Sequence, residues 1–146
     1  MNRSWIESRI PHRGRMCLLE EVLSWDAQGI TCRSCTHRAA DHPLRSHGRL
    51  GAAAGIEYAA QSMAVHGALT SAADAPRPEA GFLASLRDVD LFVERLDDID
   101  VDLISQAGLI ASDAGTALYD FELSAAGRPL LRGRAAVVFD AGGVLR

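Results

Sequence analysis

The chain has 146 residues, a size suited to one domain, and 48% hydrophobic with 23% charged residues is the balance of an ordinary globular protein. A net charge of −4 and a pI near 5.7 supply no global positive field, which argues against nucleic acid as a partner. No stretch reaches the roughly 18 uninterrupted apolar residues of a spanning helix, and no apolar segment follows the N-terminal charges as in a secretory signal, so the expectation is a cytoplasmic protein with no membrane contact.

Ser4 to Ile10 can form a short helix that stops before Pro11. Met16 to Trp25 is rich in branched and apolar residues and reads as a strand. Asp26-Ala27-Gln28-Gly29 is a turn signal, and Ile30 to His37 alternates, so the two runs form a hairpin. Ile30, Cys32, Ser34 and Thr36 share one face. Thr31, Arg33, Cys35 and His37 share the other. Ala39 to Leu50 reads as loop.

From Gly51 to Leu69 the period becomes helical, with Ile56, Ala59, Ala60, Met63 and Gly67 on one side. The remaining sides are mostly Ala and Gly, as in a helix buried nearly all round. Ser71 to Gly81, with Pro76 and Pro78, is a loop. Four strand candidates follow: Phe82 to Leu91, Ile99 to Leu109, Ala117 to Leu123 and Leu130 to Phe139. Asp113-Ala114-Gly115 and Ala125-Ala126-Gly127-Arg128 punctuate the later ones. No linker, repeat or low-complexity tract divides residues 1–146, so one domain is expected. Strands, one long helix, then more strands give an α+β architecture.

The three cysteines, an odd and small number, argue against a disulfide scaffold. Cys32 and Cys35 have redox or zinc spacing, but on a strand positions three apart face opposite sides, which favours plain strand residues. Charge is uneven. Arg3, Arg9, His12, Arg13 and Arg15 make the start basic, and Asp88, Asp90, Glu94, Asp97, Asp98, Asp100 and Asp102 make a later stretch acidic. Solvated surface is the expectation for both.

Three segments carry a resemblance. Pro11-His12-Arg13-Gly14-Arg15-Met16-Cys17-Leu18-Leu19-Glu20 resembles the opening of the beta-hydroxyacyl-carrier-protein dehydratases. Gly55-Ile56-Glu57-Tyr58-Ala59-Ala60-Gln61 resembles their central-helix motif, in which a Glu is followed four residues later by Gln. The run from His42-Pro43-Leu44 through Gly48-Arg49-Leu50 to His66-Gly67-Ala68-Leu69 is similar to a divergent branch, the dehydratase-like proteins found with aryl polyene biosynthesis. The resemblance implies a hot-dog fold, an antiparallel β-sheet wrapped around one long central helix. One departure stands out. The better-known enzymes carry a His-Phe-Pro-Gly stretch before the helix, and here their histidine position is Pro43. His42, beside it, is the natural replacement, and His47 is the second candidate.

Dehydrating a 3-hydroxyacyl thioester needs a base for the proton beside the carbonyl and an acid for the departing hydroxyl. It also needs a stabiliser for the charge on the thioester oxygen. A histidine suits the first role. Glu57, set among Ala53, Ala54, Ile56, Ala60 and Ala64, suits the second, because an apolar setting disfavours a charged carboxylate. The helix N-terminus at Gly51 and Ala52 suits the third, since its first N–H groups lack internal partners. Gln61 and Tyr58 are read as support, with Gln61 satisfying backbone. The resemblance places His12 in a structural turn. His66 reads as a satisfied core residue.

The resemblance further implies a dimer or higher oligomer with the acyl chain at the subunit interface, His from one subunit and Glu from the other. The partner is an acyl thioester on an acidic carrier protein or coenzyme A, with Arg45 and Arg49 as carrier contacts. No cofactor is expected. No metal is expected either, because no helical His pair or third ligand stands near His42, His47 and Glu57. Two other functions stay open: hot-dog thioester hydrolysis, in which the carboxylate activates water, and a non-catalytic carrier-binding subunit of a mixed dehydratase.

Overall fold

The computed structural model describes residues 1–71, 81–113 and 115–139. Most of the loop expected at 71–81 and the turn residue 114 therefore lie outside the described residues. The elements are α1 (Arg3–Glu7), β1 (Glu21–Asp26), β2 (Gly29–Ser34), α2 (Gly55–Thr70), β3 (Gly81–Leu91), β4 (Leu103–Asp113), β5 (Thr116–Ala125) and β6 (Arg128–Phe139). The six strands form one antiparallel sheet in the order β1-β2-β4-β5-β6-β3, and α2 packs on it. This is the expected α+β arrangement of a sheet around one long helix.

Local chemistry sets the turns. Asp26 Oδ1 accepts the N–H groups of Gln28 (2.8 Å) and Gly29 (2.9 Å), closing the β1–β2 hairpin. Gly29 is required there, because a Cβ would lie 2.8 Å from the Ala107 carbonyl oxygen on the neighbouring strand. Ala126 and Gly127, at φ 50° and 77°, make the two-residue turn between β5 and β6.

Alternation puts Ile30, Cys32 and Ser34 of β2, Leu103, Ser105 and Ala107 of β4, and Ala117, Tyr119, Phe121 and Leu123 of β5 into the core. Tyr58, Ala59, Met63 and Val65 of α2 meet them. Each fully buried Leu, Val or Met contributes about 1.5–3 kcal/mol. Gly55 lets the helix settle against the sheet: a Cβ there would lie 2.4 Å from Leu131 Cδ2 and 2.8 Å from Leu123 Cδ2.

Four expectations are corrected. β1 begins at Glu21 rather than Met16, because the Met16 and Cys17 N–H groups close the turn on Arg13 and Gly14, and the Met16 carbonyl and Leu18 backbone bond side chains rather than a strand. β4 begins at Leu103 rather than Ile99. The Ile99 carbonyl bonds the His37 ring and the Asp100 carbonyl accepts from Arg38, which holds this segment as loop. The helix is not buried all round: Glu57, Ala60, Ala64, Gly67 and Ala68 remain half-exposed along one side. Finally, the acidic stretch is not all solvated surface. The Asp97 side chain is 6% exposed and accepts from Arg95 and from the Leu50 N–H (2.9 Å). Asp102 bridges Arg33 and Arg38, each at 3.0 Å.

Candidate active site

Glu57 sits in the first turn of α2 with its side chain 35% exposed. Its Oε1 meets His12 Nε2 at 3.1 Å. The sequence folds back to make this contact. Pro11 prevents α1 from continuing, and the Arg13 guanidinium bonds the Glu7 and Ile10 carbonyls at the end of that helix. A short turn at Gly14–Met16 follows, held by Arg3 on the Gly14 carbonyl at 2.8 Å. His12 is thereby fixed over the first turn of α2. Its Nδ1 is buried and has no partner among the described residues.

Gln61 lies one turn beyond Glu57 and is fully buried. Its Oε1 accepts the Leu18 N–H (2.9 Å), and its Nε2 donates to the Met16 carbonyl (2.7 Å) and to Glu57 Oε1 (3.4 Å). One amide therefore satisfies two backbone groups of the segment following His12 and also touches the carboxylate. The sequence reading also has Gln61 satisfying backbone groups.

Pro11, His12, Glu57, Ala60, Ala64, Leu83 and Val137 line a cavity of about 200 Å³. Its walls are apolar, and the His12–Glu57 pair is its polar feature. Ala60 and Ala64 follow Glu57 along one face of α2, and β3 and β6 supply the opposite wall. Larger hollows lie on the outer face of the sheet and beside the far end of α2, and Glu57 lines none of them.

The other candidates are placed elsewhere. His42 is buried, its Nδ1 accepts the Leu44 N–H (3.1 Å) and its Nε2 faces the Tyr58 hydroxyl at 3.0 Å. With Nδ1 an acceptor, Nε2 carries the proton and donates it to Tyr58. Tyr58 in turn lies 2.8 Å from Thr36 Oγ1, which donates to the Leu18 carbonyl (2.9 Å). Burial, then the nearby Arg45 cation, lowers the His42 pKa. Burial pushes the Tyr58 phenol up to about 12. Both ring nitrogens of His42 are thus engaged inside the protein, and it does not line the cavity beside Glu57.

His47 and Gly48, at φ 54° and 77°, form the tip of a two-residue turn between Ser46 and Arg49, and His47 is exposed. The Ala52 N–H is taken by the Glu94 carbonyl (3.0 Å), so it is not the free donor expected at the helix start; Gly51 bridges Arg95. Arg45 is folded inward, donating to the Ala39 carbonyl (2.8 Å) and lying 3.7 Å from Asp97, which leaves Arg49 as the exposed cation of that pair. His66 is the satisfied core histidine expected, bonded to Tyr119 (2.7 Å) and the Asp26 carbonyl (2.8 Å). No group of three His, Cys, Asp or Glu among the described residues is arranged to hold a metal ion.

The contact of His12 with Glu57 is not part of the sequence reading, which places His12 in a structural turn.

Against known proteins, the ApeP-like family, described as ApeP dehydratase, matches residues 4–141. No curated protein sequence matches. Among solved structures, the dehydratase heterocomplex ApeI:P from Xenorhabdus doucetiae matches with TM-score 0.80 and 23% identity over 92% of this chain and 90% of that chain. A mutant of thioesterase PA1618 from Pseudomonas aeruginosa matches with TM-score 0.62 and 15% identity over 95% of each chain. A hypothetical thioesterase with coenzyme A from Streptococcus pneumoniae TIGR4 matches with TM-score 0.58 and 12% identity over 83% and 85%. At these identities the structures speak to the fold, which is the hot-dog arrangement.

Proposed function

The chain belongs to the ApeP-like dehydratase family, and from that premise we propose that it eliminates water from 3-hydroxyacyl thioesters in the making of polyene-type or related acyl chains. The observation that carries this reading is Glu57 at the mouth of a half-enclosed apolar cavity. A carboxyl group there can hand a proton to a departing hydroxyl while the alanines of α2 and the aliphatic side chains of β3 and β6 hold the acyl part away from water.

The thioester is carried by an acidic carrier protein. Arg49 and the exposed Arg9, Arg13 and Arg15 provide positive charge to steer it. Arg45 is not one of these cations, because its side chain holds its own loop.

The reading includes a second hot-dog subunit. Among the described residues β3 is an edge strand, paired with β6. Leu83, Leu86 and Leu91 on it, and Phe92 just after it, are each 39–49% exposed. Leu83 also lines the cavity. A subunit added along this edge covers these side chains and closes the cavity wall. The Xenorhabdus relative is a dehydratase heterocomplex, which favours a second reading: this chain as one member of a mixed assembly.

The products decide between chemistries. Incubating the protein with a 3-hydroxyacyl thioester and weighing the product is expected to show loss of water. Free acid and free thiol would instead identify a thioesterase. Binding with no conversion until a second hot-dog chain is added would identify a subunit of a mixed enzyme.

A further inference from the structure

We propose that the acyl chain of the substrate leaves the Glu57 cavity along α2 and ends in the hollow beside the far end of that helix, where Thr70 and Ser71 select a chain terminating in an uncharged hydrogen-bond donor. The assignment rests on the reading above of an enzyme acting on acyl thioesters. It adds a second subsite, remote from the reacting atoms.

The two cavities follow one another along the helix. The Glu57 cavity is bounded on α2 by Ala60 and Ala64 and on β6 by Val137. The far hollow, of about 490 Å³, is bounded by Gly67, Thr70 and the capping Ser71 and, on β5, by Ala117. These walls are nearest neighbours on both sides. Ala64 and Gly67 are three residues apart, on one face of the helix. Val137 and Ala117 are direct cross-strand partners, which sets their Cβ atoms about 4.5–5.5 Å apart. Ala60, Ala64 and Gly67 are half-exposed, so the protein's own core does not fill this side of α2. From Glu57 to Thr70 the helix advances about 20 Å, a span suited to an extended acyl chain.

The chemistry of the walls changes along this path. Beyond Glu57 the first cavity offers the chain alkyl groups, whereas the far hollow offers oxygen. Thr70 Oγ1 donates to the His66 carbonyl (2.9 Å), and Ser71 Oγ donates to the Gly67 carbonyl (2.7 Å). A hydroxyl has one hydrogen and two lone pairs, so both side chains have committed their hydrogen and keep acceptor capacity. They match a terminal hydroxyl and have nothing to offer a terminal methyl. The Asp113 carboxylate on the same wall repels an anionic terminus.

Matched 3-hydroxyacyl thioesters on one carrier test the subsite, in a length series whose members end in either a methyl or a hydroxyl. Once the chain is long enough to reach Thr70, the wild type, alone or in its complex, is expected to favour the hydroxyl-ended member by about two- to tenfold, the effect of one net hydrogen bond. The preference is expected in KM and not in kcat, because a contact far from the reacting atoms is the same in the ground and transition states. The double variant Thr70→Val, Ser71→Ala is expected to abolish the preference, read as the ratio of the two KM values. Gly67→Leu, at the junction of the cavities, is expected to raise KM for long members more than for short ones. Competition binding with thioesters lacking the 3-hydroxyl is expected to give the same ranking without turnover. Equal treatment of long methyl- and hydroxyl-ended members by the wild type, a preference kept in the double variant, or equal effects of Gly67→Leu at every length would each overturn the assignment and leave the dehydratase reading standing. The expected ranking in binding with no water loss would overturn the dehydratase reading and uphold the subsite.

Discussion

The Nε2 of His42 and the hydroxyl of Tyr58 meet at 3.0 Å in the buried loop–helix junction, one residue along α2 from Glu57. Both ring nitrogens of His42 are occupied, so the contact is a lock rather than a proton-transfer site. His42→Ala leaves the Tyr58 hydroxyl and the Leu44 N–H short of a partner. Leaving a buried polar group unsatisfied costs about 1–3 kcal/mol. Thermal melts are expected to show this loss, while kcat falls by less than about tenfold; a drop of about 10²–10⁴-fold with an unchanged melt would make His42 the proton-transfer group instead.

Gln61 couples stability to alignment. Gln61→Ala removes the partners of Leu18 N–H and Met16 carbonyl and loosens the segment that carries His12. The expected outcome is a lower melting temperature together with a lower kcat, with KM less affected because the apolar walls of the cavity are untouched. Steady-state kinetics beside a melting curve check it. A fall in stability with kcat preserved would remove Gln61 from the positioning of the pair.

The cavity floor sets which acyl chains fit. Ala64 lies on the same helix face as Glu57 and lines the cavity opposite Val137. Ala64→Phe is expected to cut kcat/KM for long acyl thioesters far more than for short ones, read from a series of chain lengths. Equal losses across the series would place the chain elsewhere.

Acid is expected to destabilise the fold in two stages. His37 and His42 are held below their ordinary pKa, mainly by burial. Unfolded histidines titrate near 6.5, so the stability these neutral rings contribute is present above that pH and is lost as pH falls toward their folded values. The urea midpoint should therefore drop between about pH 7 and pH 5. A His37→Gln, His42→Gln double variant, less stable at neutral pH, should lose this slope. Asp97 lies well below the usual carboxylate range, chiefly through its bond from Arg95. Its contribution is present above about pH 4 and is lost only in stronger acid, so Asp97→Asn should flatten only that last stage.

The edge of β3 tests assembly. Leu86→Arg with Leu91→Glu places charge on the exposed leucines without touching His12 or Glu57. Light scattering is expected to show a smaller species, with activity lost alongside it because the cavity is left open. An unchanged mass would mean that the partner docks elsewhere.

Much of the fold is legible in the sequence because it rests on local rules. The Asp26–Gly29 turn, the alternation of Ile30, Cys32 and Ser34, and the Ala126-Gly127 turn need no long-range information. The start of β4 was not legible, because Ile99 and Asp100 are held as loop by His37 and Arg38, about sixty residues away in the chain. The site divides the same way. Glu57 and Gln61 are singled out through the resemblance of Gly55–Gln61 to a known central-helix motif, and the structure places them one turn apart on α2. The place of His12 could not be read, because it depends on the Arg13 cap, the turn at Gly14 and the grip of Gln61 on residues 16–18. The place of His42 beside Pro43 does not reveal that Leu44 and Tyr58 occupy both its ring nitrogens.

The most direct test of the central claim is the kcat for water loss from a 3-hydroxyacyl thioester, compared between wild type and Glu57→Gln under conditions where both are folded. The expected result is water loss by the wild type and a fall of about 10²–10⁴-fold in the variant. Full water loss by Glu57→Gln would contradict it.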